Sequence, residues 1–164
     1  MSTSPQHSSL IERIKSVATE RYGSLDTPNF HFVGHALESS PVRAIVQNIK
    51  YLSVNVRENT DPNDDVAIVL IINVGQEYLL LQLSIIAEYA VFRRILQDNK
   101  TYVIDGEDQA ITEVEKSIVS LIHRIGYKLL DRETLSSRIE MSSLNTPSED
   151  TNVYNILFSD SELA

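Results

Sequence analysis

Two aliphatic runs, Val66–Ile72 and Leu79–Ile86, flank a short polar break that contains Gly75-Gln76. Apolar runs this short and continuous suit strands covered on both faces. Gly75-Gln76 supplies a two-residue reversal, with glycine free to take positive φ, so the two runs read as a hairpin. In the second run Leu79, Leu81, Leu83 and Ile85 share one face, while Tyr78, Gln82 and Ser84 lie on the other.

The hairpin has neighbours on both sides. Leu52, Val54 and Val56 alternate with Ser53, Asn55 and Arg57, the pattern of a half-buried strand nearer the sheet edge. The polar run Glu58–Asp65, with Pro62 inside it, reads as the connecting loop. Ala87-Glu88 offers a second reversal before Tyr89–Ile95, and Thr101–Ile104 closes the sheet after a loop at Gln97–Lys100. The expected core is therefore an antiparallel meander of four or five strands.

Helical periodicity lies on either side of the meander. Ser9-Leu10-Ile11-Glu12 spells a capping box; Leu10, Ile14, Val17 and Ala18 then share a face, and Gly23 provides a stop. This predicts a helix over Ser9–Tyr22. Ser40-Pro41 suits a helix start, and Val42, Ile45, Val46 and Ile49 follow at helical spacing, but their β-branching fits a strand as well. Residues 41–49 thus stay open between helix and strand. The longest stripe is Ile111, Val114, Ile118, Leu121, Ile122 and Ile125, capped by Asp108, ended by Gly126, and with His123 on the exposed side. Phe30–Val33 reads as a short strand, Arg132–Ile139 as a short helix, Ser142–Asn152 as a polar linker and Val153–Phe158 as a last strand.

The expected fold class is α+β: the meander packed against an N-terminal helix and a longer helix in the C-terminal half. With 164 residues, 42% hydrophobic and 23% charged, the chain has the size and composition of one globular domain. Its expected extent is 9–158, with a flexible tail at 1–8 and a flexible acidic tail at 159–164.

Composition narrows the chemistry. There is no cysteine, so disulfides, thiolate metal sites and cysteine nucleophiles are excluded. Fourteen basic residues face 23 acidic ones, for a net charge of −9. The only adjacent basic pair is Arg93-Arg94, so the basic face that phosphate backbones require is missing, and neither direct nucleic-acid nor membrane binding is expected. The start, MSTSPQHSS, has no positive end followed by an apolar run, and no apolar stretch is long enough to span a bilayer as a helix. A cytoplasmic protein is the expectation.

No motif spells out a reaction. His31 and His35 are four apart, but Phe32, Val33 and Gly34 between them include no glutamate base. Asp61-Pro62-Asn63-Asp64-Asp65 opens like a calcium loop, yet the sixth position is Val66 where glycine is needed and the twelfth is Ile72 where glutamate is needed. Glu77, Glu88, Glu107 and Asp108 stand at turns and a helix start, where charge is expected without catalysis. Ser84 and Ser117 lie within predicted elements, outside any G-x-S-x-G elbow, and neither familiar glycine-rich phosphate loop is present. No catalytic residue, metal or cofactor is expected.

These features favour a non-catalytic protein-binding module: an acidic inhibitor or immunity-type protein, or an adaptor, covering a protein partner whose surface is suitably basic. The contact residues expected are Asp61, Asp64 and Asp65 of the acidic loop, with Tyr78, Tyr89, Phe92 and Arg94 of the sheet. In size, acidity and helix–meander–helix order the chain is similar in outline to secretion chaperones of bacterial export systems. That similarity implies a homodimer holding a client segment, and it is one of architecture, with no shared motif. A third reading is a small enzyme or ligand-binding domain with a pocket between sheet and helices, lined by tyrosines and one of the histidines. The readings turn on whether the chain's own helices cover both faces of the central strands.

Overall fold

The computed structural model describes residues 5–52, 55–142 and 146–160. Its centre is the expected meander. Strands β1 (Asn55–Glu58), β2 (Ala67–Val74), β3 (Glu77–Ser84), β4 (Tyr89–Ile95) and β5 (Thr101–Val103) pair antiparallel in chain order. Gly75 takes φ +64° in the β2–β3 turn, a left-handed conformation that costs glycine no Cβ clash. Both aliphatic runs occupy the sheet interior and β1 lies at an edge, as the contrast between continuous and alternating patterns predicts.

The helices partly redraw the expected map. The first, α1, spans Pro5–Tyr22 and starts before the Ser9 box, with proline at its first position. Residues 5–8, expected in a flexible tail, are therefore helical, and His7 pairs with Ser137 at 3.0 Å. Phe30–Val33 is not a strand: the rings of Phe30 and Phe32 pack on Tyr22, and the chain turns into a short helix, α2 (Val33–Leu37). The open segment is the helix α3 (Ser40–Lys50), with Pro41 in its first turn.

The long helix α4 spans Glu113–Arg124. Its cap is Thr112 rather than Asp108: Thr112 accepts from the Glu115 amide while Glu115 reaches back to the Thr112 amide. Ile111 precedes the cap and is 69% exposed, so it drops out of the predicted stripe. Gly126, at φ +88°, ends the helix as expected. Lys128–Leu129 then forms a sixth strand, β6, parallel to β4, with α4 within the crossover that a parallel pair requires. A short helix, α5 (Arg132–Ser136), follows under an Asp131 cap.

Val153–Leu157, expected as a strand, is the helix α6. Asn152 and Asn155 form a reciprocal cap, and every residue from Val153 to Ser159 is buried. A helix buried all round has no polar face, so its apolar run carries no 3.6-residue period to distinguish it from a strand. Ser159 bridges to Asp65 and is buried, so the expected frayed tail is anchored at its first residue; residues 161–164 lie outside the described residues.

Candidate protein-binding face

Strand register assigns each side chain to a face, because residues directly opposite share one. The inner face carries Ile68, Leu70 and Ile72 of β2 opposite Leu83, Leu81 and Leu79 of β3, then Ala90, Phe92 and Arg94 of β4. Except for Arg94 these residues are at most 3% exposed, and they belong to the main core. Two helices reach this side. Arg94 forms a two-pronged ion pair with Glu115 of α4, and Arg43 of α3 pairs with Glu58 of β1 at 2.8 Å.

The outer face is covered unevenly. At the end nearer Ala67 and Ser84, α6 lies against the sheet: Tyr154 shares hydrogen bonds with Gln82 and accepts one from Arg93, whose guanidinium lies 5.5 Å from the Tyr154 ring centre. Tyr22 of α1 donates to the Ile156 carbonyl at 2.7 Å, which ties α1 to the same side. Burial raises the Tyr22 phenol above its usual range, so it stays a neutral donor.

Toward the Gly75–Gln76 turn, the outer face changes character. Val69, Ile71, Leu80 and Ile95 adjoin one another through the β2–β3 and β3–β4 registers, with Tyr78 opposite Ile95. Ile71, Leu80 and Tyr78 are half-buried, and neither they nor the buried Val69 and Ile95 join the main core. Asn55, Asn73 and Thr101 surround them, and Arg57 lies opposite Ile71. Arg57 is exposed and makes no ion pair with any described residue. A contiguous apolar patch beyond the core with a polar border has the anatomy of a contact surface.

The contact residues expected from sequence do not converge there, Tyr78 excepted. Tyr89 is 6% exposed and Phe92 is fully buried, so both build the interior rather than a surface. Arg94 is committed to Glu115 and to the Gln109 carbonyl. Asp65 is buried two residues before β2, where its carboxylate accepts from the Asp61 amide; burial raises its pKa. Asp61 and Asp64 are exposed, but at the opposite end of β2 from Asn73. The outer-face residues near the turn that keep some exposure are Arg57, Ile71, Tyr78 and Leu80. The alternation in β3 held a clue, since Leu80 falls between Tyr78 and Gln82 on the more polar face.

Other groupings of polar residues are dispersed. His31 and His35 are both exposed, in a turn and on α2. No group of three His, Asp or Glu residues is placed to hold a metal ion among the described residues. Burial, then the charges of Asp131 and Asp108, raises the Asp105 carboxyl. An open cleft of about 730 Å³ is lined by Lys15, Asp26, Arg138–Ser142, Ser148 and Glu149, with no tyrosine or histidine among them. No described helix is long and apolar enough to cross a membrane. The chain matches no family model, no curated protein and no solved structure.

Proposed function

We propose that this protein is a non-catalytic protein-binding module that engages its partner through the outer sheet face near the Gly75–Gln76 turn. The observation that carries this reading is the half-buried group of Ile71, Leu80 and Tyr78, which lies outside the main core and is backed by the buried Val69 and Ile95. Leaving half-buried aliphatic side chains at the surface forgoes roughly 25 cal/mol for each Å² of apolar area, a gain that a partner recovers on binding. The reading takes the inhibitor or adaptor class expected from the sequence, keeps Tyr78 of the expected contact residues, and replaces the acidic loop and the other sheet residues with the outer face near the turn.

The test is affinity capture from the native source with wild type, the double variant Ile71→Asp/Leu80→Asp, and Lys116→Glu as a control on an exposed site of α4. The reading expects a partner retained by wild type and by the control, and lost by the double variant, with far-UV circular dichroism unchanged. Equal retention by all three proteins would reject this face as the contact.

A further inference from the structure

Resting on that reading, we infer that the face takes an apolar segment that carries a carboxylate, so that an acidic protein binds an acidic partner element. The inference comes from the sign of the charge on this one surface. The chain has 23 acidic and 14 basic residues. Yet among the described strand positions of the outer face no aspartate or glutamate occurs, and the charged residues there are Arg57, Arg93 and Lys128. The inner face, by contrast, carries Glu58 and Glu77 beside Arg94.

The two arginines differ in availability. Arg93 is buried beneath Tyr154 and fixed by Gln82, so it is not a contact for a partner. Arg57 is exposed at the edge of the apolar patch, with its guanidinium uncommitted among the described residues. A guanidinium beside apolar surface suits a two-pronged bond to a carboxylate, and that bond strengthens as the surrounding surface is covered. The net charge of −9 acts the other way: at long range it attracts cations and repels anions. The short-range chemistry of this face and the long-range field of the molecule therefore select opposite partners, and an experiment can separate them.

Two short amphipathic peptides with identical apolar positions, one with glutamate and the other with lysine at every polar position, serve as probes of the full chain. Amide chemical shifts locate each peptide. The glutamate peptide is expected to shift Val69–Asn73 and Tyr78–Leu80, and to bind this face about tenfold more tightly than the lysine peptide at 0.15 M salt, the worth of one charge-assisted pair. Arg57→Glu is expected to reverse that preference without moving the site. If the lysine peptide binds the same face as tightly or more tightly, the acidic inference falls and the protein-binding face stands. If neither peptide perturbs the face, the inference also falls, and the capture experiment with Ile71→Asp/Leu80→Asp judges the face independently.

Discussion

Glu115 is a carboxylate held on several sides. It accepts from Arg94 and from the backbone amides of Ile111 and Thr112, at 2.7 and 3.0 Å for the amides. Burial by itself would raise its pKa; the Arg94 hydrogen bond and the two amides outweigh that and hold it below the ordinary carboxylate value. A carboxyl depressed in the folded state contributes stability that is complete above its unfolded pKa and is lost as pH falls through the folded value. Urea titrations from about pH 6 to about pH 3 should therefore show a loss of stability in wild type, mostly below about pH 4.5, that is smaller in Glu115→Gln. At neutral pH, Glu115→Ala should cost about 3 kcal/mol, because it leaves the largely buried guanidinium of Arg94 without its counter-charge. The Thr112-x-x-Glu115 spacing is that of a capping box, although the cap was expected at Asp108. The bond from Glu115 to Arg94 was not legible in the sequence, because a contact between β4 and α4 depends on the strand register, which no local pattern records.

At the scale of elements, β3 offers a contrast between adjacent residues. Leu81 faces the core and is fully buried, whereas Leu80 is half-buried on the outer patch. Leu81→Ala should destabilise by about 3 kcal/mol and Leu80→Ala by about 1 kcal/mol or less, measured by urea denaturation of each variant. Equal losses would contradict the assignment of the two faces. The meander itself was legible because alternating and continuous apolar patterns distinguish edge from centre, as in Val56 against Ile68–Ile72. Element α6 was not, since Val153–Leu157 is buried on every side and its period vanishes; the only local mark of the helix was the Asn152-x-x-Asn155 cap. The two-residue strand β6 left no periodicity at all, because it is specified by its parallel partner, Tyr89–Ala90, far away in the chain.

Across the whole molecule, the candidate site was less legible than the fold. The acidity of the chain drew attention to Asp61, Asp64 and Asp65, and the aromatic residues of the meander to Tyr89 and Phe92. Net charge is summed over the entire surface, however, and a contact is made by one face whose local sign can differ from the total. Aromatic residues in a sheet mark burial as readily as binding, and the packing of elements distant in the chain, such as α6, decides which it is. Tyr154 joins these two levels, since its hydroxyl holds Gln82 and Arg93 where the covered half of the face meets the patch. Tyr154→Phe should lower stability by about 1–2 kcal/mol by depriving buried polar groups of a partner. Hydrogen exchange should locate the resulting loosening in β3 and β4 rather than in α3 or β1.

The late position of α6 in the chain has a consequence for synthesis. The helix covers part of the outer face of a meander whose last strand, β5, ends at Val103, and the Val66 amide closes on the Phe158 carbonyl only when the C-terminal segment has been made. Hairpins form in about 1–10 μs, whereas a ribosome adds about 5–20 residues per second. For roughly 3–10 s, then, a nascent meander has its hairpins but lacks the helix that shields them. During that interval the whole outer face, not merely the patch near Gly75, is open to whatever the cell presents.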